Sequence, residues 1–410
     1  MFTSVGVCGI IVPSHCNTER QGCGMTNCER LMKTIRREQT DYMPSEITFA
    51  DRTRNRQLAR QLGLRDEQEL AEYIDNHFEF LYTKHDQPLF FRNDLALMRK
   101  RAEEGVVGLD EERRMVYDLW GVGIEITDMG FNPIYAPLGG DKRANDLARP
   151  FLPRSFNSDL LDMPVERAVE AYQAPDPFCL DNFQAIVEQD NAFSRDVLHI
   201  PSGYFGVFER SHGIVGLTNL MLYAAAEPEM LEIVLDKVVD YKLKVAHKYV
   251  EMGFKVCHHG DDFGIQTGTM FSPDMIRRMF LPRLRKIFKV YKDAGIKVMY
   301  HSCGNITAIL PDLIEAGVDI LEPVQPCMDF EFLKREYGKY LVFMGGIDTQ
   351  FVLPYASPDE VRAHVRQVVR TLGRDGGYII APSQEIMNDV PIENIVAMIQ
   401  TIREERANFG

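Results

Sequence analysis

From about residue 186 onward the chain alternates short apolar runs with longer stretches that are apolar on one face only. The runs at 197–204, 255–259, 297–301, 320–323, 341–345 and 377–381 have the length of strands, and a parallel strand covered on both sides reads as a nearly unbroken apolar run. Between them, 228–252, 273–294, 307–316, 358–372 and 392–405 carry the spacing of amphipathic helices. Ser272-Pro273 and Ser357-Pro358 place a cap and an N1 proline at two helix openings. Repeated strand–helix units joined by short loops imply a parallel sheet.

The first half is less regular. An amphipathic stretch at 27–37, with Thr26 or Asn27 as its cap, reads as the first helix, followed by a short strand at 43–51 opened by Pro44 and helical sequence at 57–63. An acidic helix is expected at 66–78. Alternation around Trp120, at 114–127, suggests β-hairpins, and Pro133, Pro150, Pro153, Pro164 and Pro177 follow. We therefore expect 65–190 to be a β-rich, proline-rich insertion that caps the domain at 25–410. Residues 1–24, rich in small and polar residues, read as a loose extension, with Met25 as an alternative start. Adding the strand near Ile47 and others in the first half, the simplest closed architecture is a (β/α)8 TIM barrel. A doubly wound open sheet has no GxGxxG loop to support a dinucleotide site.

Composition narrows the function. The 410 residues are 45% hydrophobic and 26% charged, as in an ordinary globular protein, and the net charge of −14 argues against a nucleic-acid or anionic-membrane surface. No apolar run approaches the roughly 20 residues of a membrane span, and no leader is visible, so the expected location is the cytoplasm. Eight cysteines are too few for a disulfide scaffold and are expected as free thiols or metal ligands. Cys8, Cys16, Cys23 and Cys28 lack the CxxC spacing of a metal knuckle.

The candidate chemistry lies where the apolar runs end, because in a barrel those ends converge on the active face. They read Ser202-Gly203-Tyr204, Cys257-His258-His259-Gly260-Asp261-Asp262, His301-Ser302-Cys303, Glu322-Pro323-Val324-Gln325, Gly345-Gly346-Ile347-Asp348 and Ser383-Gln384-Glu385. Side chains alternate along a strand, so His301 and Cys303 project to one side, an imidazole and a thiol that suit zinc. Alone, HxCG is a weak signal; the surrounding acids strengthen it. By the same alternation at most one of His258 and His259 faces the axis. Asp348 also fits the cap of a following helix, and Tyr204 and Tyr300 are equally explained by packing.

The opening NCERLMKTIRREQTDYMP, the DLWG around Trp120, APDP at 174–177, GDDFGIQTGTMFSPDMIRRMFLPRL from Gly260, HSCGN from His301, GVDILEPVQ from Gly317, GGID from Gly345 and APSQEI from Ala381 together resemble the uroporphyrinogen decarboxylase superfamily. Within it they resemble the cobalamin-dependent methyltransferases. That resemblance implies a TIM barrel, a zinc ion held by an HxC pair and a later cysteine, and a corrinoid carried by a partner protein. It assigns His301 and Cys303 as the first two zinc ligands. Glu322 falls where cobalamin-independent methionine synthases carry an acid near their zinc, and becomes the third. The later cysteine is missing: Pro382-Ser383-Gln384 stands there instead.

A site with one thiolate keeps more Lewis acidity for oxygen or nitrogen substrates than one with two. The expected function is zinc-dependent transfer of a methyl group between a small methylated O- or N-compound and a corrinoid-binding protein. Asp261 or Asp262 would orient substrate or handle a proton. Asp348 and Gln384 would support the pocket, with Tyr204 and Tyr300 lining it. The alternative is cofactor-free uroporphyrinogen decarboxylation. That needs an aspartate among arginines, and DRTRNRQLAR from Asp51 offers these without the RQAGRY pattern of true decarboxylases. A corrinoid- or tetrapyrrole-binding protein without catalysis is the third reading.

Overall fold

A computed structural model describes residues 24–50, 54–127, 133–194, 196–203, 205–406 and 408. The extension at 1–23, Asp51, Arg52 and Tyr204 thus lie outside the described residues. In chain order the strands are β1 (Phe78–Leu81), β2 (Gly108–Asp110), β3 (Met115–Tyr117), β4 (Gly123–Glu125), β5 (Pro133–Tyr135), β6 (Leu198–Gly203) and β7 (Val256–Gly260). Two short ones, β8 (Gly264–Ile265) and β9 (Gly268–Thr269), precede β10 (Lys297–His301), β11 (Ile320–Val324), β12 (Val342–Ile347) and β13 (Tyr378–Pro382).

Seven of these form one parallel sheet in the order β1-β6-β7-β10-β11-β12-β13, curled into a partial barrel. The six runs expected from 197 onward are all in it. The expected strand at 43–51 is not a strand. It touches the sheet through single bridges, Ser45 to Ile380 and Phe49 to Ile386, while the Ser45 carbonyl also accepts from His77 N–H at the start of β1. Pro44 lacks an N–H to donate, which shortens the pairing available there. The stretch expected as an insertion begins too early. β1, Phe-Glu-Phe-Leu, belongs to the parallel sheet, and the acidic helix ends before it, at Glu67–Ile74. Beyond β1, β2 to β5 make a separate antiparallel sheet that contains the expected hairpin.

Alternation divides each parallel strand between two cores. Phe78, Leu198, Ile200, Val256, Met299, Ile320, Val342 and Ile379 fill the concave side, while Cys257, Val298, Tyr300, Leu321, Phe343 and Tyr378 pack under the helices. The helix Asn27–Ile35 adds Cys28, Leu31 and Ile35 to the concave cluster, and is held by a capping box between Thr26 and Glu29. Pro228–Met252 and Pro358–Leu372 fall where the spacing predicts, with Ser357 capping the latter. The helix expected at 273–294 is interrupted by a wider turn at Ile276–Phe280. Cys28 is disulfide-bonded, contrary to the expectation of free thiols; Cys179, Cys257, Cys303 and Cys327 are free. Among the described residues no helix is long and apolar enough to cross a membrane.

Candidate metal centre at the strand ends

The concave columns change character at their C-terminal ends. Val256 is followed on the same face by His258, Met299 by His301 and Ile320 by Glu322, so apolar packing gives way to ligands two residues later. Register places His301 directly beside Glu322. The Nδ1 atom of His301 lies 2.7 Å from Glu322 Oε2, and His258 Nε2 lies 3.4 Å from the same oxygen. The other ring nitrogen, Nε2, faces Asp262 Oδ1 at 3.3 Å and Cys303 Sγ at 3.6 Å.

Two overlapping groups have the proximity to hold a metal ion: His258, His301 and Glu322 on one side of the ring, and Asp262, His301 and Cys303 on the other. The trio His301, Cys303 and Glu322 expected from the sequence is therefore divided. Glu322 and Cys303 sit at opposite nitrogens of one imidazole, and one ion cannot take both in this ring orientation. The Nε2 side combines imidazole, thiol and carboxylate, a donor set that suits zinc with a position left open. Glu322 on Nδ1 is then the carboxylate that orients a ligating histidine.

The charges agree with a cation site. Burial works against a proton on His301, but Glu322 first, then Cys303 and Asp262, hold the ring well above its ordinary value. Burial would raise Glu322, yet His301 and His258 hold it down at about 2. Burial also pushes the Cys303 thiol up, partly offset by His301. With Glu322 on one side and Asp262 on the other, the His301 ring favours its protonated form. Around the sulfur, the Nε2 groups of Gln325 and Gln384 donate at 3.5 and 3.4 Å, and the Cys303 N–H donates to Asp262 at 2.7 Å. Gly304 makes the turn after Cys303 at φ +79°, and a Cβ there would meet the Gly264 backbone at 2.3 Å.

Other expected residues have different work. The Asp261 carboxylate accepts from the N–H groups of Val207, Phe208 and Glu209 at 2.8–3.0 Å, capping the helix that follows β6, and is fully buried. Asp348 accepts from Gln350 and Phe351 N–H in the turn ahead of the helix Val352–Tyr355, whose cap position is Phe351, so it holds that turn rather than capping the helix itself. Tyr300 points away from the concave side, packs on Phe288 and has no exposure, so it does not line the pocket. Alternation excludes it by the same rule that paired His301 with Cys303. His258 faces the axis, whereas His259 packs outward on Phe288.

Glu46 and Glu209 were not anticipated, and Gln325 was read only as the last residue of a strand end, with no role. Gln325 donates to the Cys303 sulfur and accepts from the Gly304 N–H. Glu209 is buried, with one carboxyl oxygen unbonded; burial first, then Asp262 and Asp261, raises it well above the ordinary range. No sequence signal separates it from a helix-surface acid. Arg54 donates to the carbonyls of Asn388 and Val390, and Arg56 pairs with Glu67 on the surface, so neither forms an arginine pocket.

A family model described as Uroporphyrinogen decarboxylase (URO-D) matches residues 209–405. The methylcobamide:CoM methyltransferase MtaA of Methanosarcina barkeri is 24% identical over 201 residues, 49% of this chain and 56% of that protein. A uroporphyrinogen decarboxylase of Magnetococcus marinus is 22% identical over 193 residues, 46% of this chain and 52% of that protein. The chain thus spans about half the length of these curated relatives. Among solved structures, a methyltransferase from Methanosarcina mazei shares the fold with a TM-score of 0.57 at 19% identity, covering 93% of this chain and 99% of that one. The chain is thus similar to the uroporphyrinogen decarboxylase family over residues 209–405, and among its relatives to the methylcobamide:CoM methyltransferases.

Proposed function

We propose that this chain is a zinc-dependent methyltransferase that moves a methyl group between a small methylated O- or N-compound and a corrinoid on a partner protein. The observation that carries the reading is the imidazole, thiol and carboxylate of His301, Cys303 and Asp262, gathered at the strand ends. Zinc held there supplies a Lewis acid for the atom that releases or takes the methyl group. The partner's corrinoid supplies the cobalt centre at the other end of the transfer.

The chain's own residues do the rest. Glu322 fixes His301 by its Nδ1, leaving Nε2 for the ligand role. Gln325 and Gln384 donate to the Cys303 sulfur and moderate its charge. Asp261 and Asp348 hold the flanking loops through backbone N–H groups rather than touching substrate. We read the segment at 44–49 as the eighth member of a (β/α)8 barrel, lying between β13 and the start of β1. Ile265, in the hairpin after β7, and Phe351 and Tyr355, at the two ends of the short helical segment after β12, are exposed, and Gln266 bonds Gln350 between the two segments. That apolar rim is where the corrinoid carrier docks in this reading.

Decarboxylation is less well supported, because among the described residues the cleft beside the metal centre is lined by Glu46, Glu322 and Glu385 and by no arginine. Such a wall repels a polycarboxylate. The test is transfer to cob(I)alamin from methoxyaromatics and methylamines by zinc-loaded protein. The expected result is methyl transfer from at least one donor, reduced about 100-fold or more in Cys303→Ala. Turnover of uroporphyrinogen with no methyl transfer would overturn the reading.

A further inference from the structure

Beside the metal centre lies a cleft of about 520 Å3, its open mouth included, within the range of about 300–1,000 Å3 typical of small-molecule sites. Two of its lining residues also touch the centre: Glu322 pairs with His301 at 2.7 Å, and the Gln384 amide donates to the Cys303 sulfur at 3.4 Å. A further wall is aromatic. β1 puts Phe80 on the concave face, two residues beyond Phe78, where its ring stands 4.8 Å from that of His258. Tyr82 follows the strand, and its ring lies 4.3 Å from that of Phe90. All three rings line the cleft and are only half-buried, and the Gln189 amide pins both the N–H and the carbonyl of Tyr82. The wall is thus held in place before a ligand arrives. Met344 and Pro382 extend the apolar lining.

The acids of the cleft do not make a charged binding site. Glu322 is paired with His301 and His258, and Glu385, on the exposed rim, is within electrostatic reach of Arg92. Glu46 is 7% exposed and accepts from the Thr48 hydroxyl; burial pushes it up to about 8, so at neutral pH it carries its own proton. Among the described lining residues no lysine, arginine or histidine is present to hold an anion. Half-buried rings with neutral polar groups beside them are the chemistry that recognises an uncharged aromatic molecule. We propose that this cleft takes an aromatic ring, so that the methyl donor is an uncharged methoxyarene lying with its methoxy group toward Cys303 and Gln384. The inference rests on the function proposed above and names its substrate class. Demethylation breaks the bond between the ether oxygen and the methyl carbon. The electron pair stays on oxygen, the ring spreads the charge of the aryloxide, which then takes a proton from water, and the methyl passes to the reduced corrinoid co-substrate. The nitrogen analogue would leave as a far more basic anilide, or would first have to be protonated to a cation.

The test is calorimetric binding to the purified chain, zinc-loaded and without corrinoid. The probe 4-methoxyphenol is compared with its saturated counterpart 4-methoxycyclohexanol and with the 4-methoxybenzylammonium ion. The phenol should bind about tenfold tighter than the cyclohexanol, since ring-on-ring contacts add to the burial that both ligands share, and the ammonium ion should bind no tighter than the phenol. Phe90→Leu should cut the aromatic preference to about threefold or less and Phe90→Tyr should keep it, both with unchanged circular dichroism and zinc content, so that the loss reports the ring and not the fold. Equal binding of phenol and cyclohexanol, no binding of the phenol, a preference for the ammonium ion, or full aromatic preference in Phe90→Leu would overturn the inference. Because the readout needs no methyl transfer, the two proposals fail separately. Aromatic preference without transfer sinks only the proposed function, and transfer from aliphatic donors without aromatic preference sinks only the substrate class.

Discussion

His301 has two ring nitrogens, and the fold commits them to different neighbours: Glu322 at Nδ1, and Asp262 with Cys303 at Nε2. The pairing of His301 with Cys303 was legible in the sequence, because alternation along one strand is a local rule. The position of Glu322 at the far nitrogen was not, because it depends on register between neighbouring strands. Asp262 was readable as an acid at a strand end, but not as the one of two adjacent aspartates that reaches the ring. Metal binding at Nε2 and Sγ must displace the protons that His301 and Cys303 hold above their ordinary values. Zinc affinity should therefore rise with pH and be tighter at about pH 8 than at about pH 6, with protons released. Competition against a chromophoric chelator measures this, and equal affinity would count against the assignment. Glu46 gives a second test. Its folded value of about 8 lies above the ordinary 4.5, so its carboxyl favours the folded state less as the pH rises between them. Glu46→Gln should match wild type in thermal stability near about pH 4 and exceed it near about pH 8.

At the scale of elements, long amphipathic helices and two-sided apolar strands were readable because their periodicity is local. Pro228–Met252, Pro358–Leu372 and Lys297–His301 lie where the spacing puts them. β1 escaped notice because only four residues, one of them Glu79, carry its signal. Conversely, 43–51 reads as a strand but pairs by single bridges. The loop after β10 is where element geometry and chemistry meet. Gly304 has φ +79° and lies against the Gly264 backbone, so Gly304→Ala strains the turn that carries Cys303. The backbone cost alone is about 1–2 kcal/mol, and the overlap adds to it. A lower urea midpoint with weakened zinc binding is expected, and wild-type values for both would show that the turn adapts freely.

At the scale of the molecule, a parallel sheet curled into a partial barrel brings seven separate chain segments to one face, and no single segment displays the result. The β/α rhythm made that face foreseeable; which of its acids cap helices and which line the cleft was decided by packing. Asp261 and Asp348 went to backbone N–H groups, while Glu46, from the segment at 44–49, joined the cleft. The central claim is that one ion is held by Asp262, His301 and Cys303, with Glu322 orienting the histidine. The most direct measurement is zinc stoichiometry and affinity for wild type and single variants. About one zinc per chain is expected, lost in Asp262→Ala, His301→Ala and Cys303→Ala, nearly unaffected in His258→Ala, and retained with about 10–100-fold weaker affinity in Glu322→Gln. Zinc that survives loss of Asp262 and Cys303 but disappears with His258→Ala or Glu322→Gln would place the ion on the other side of the ring and contradict the account.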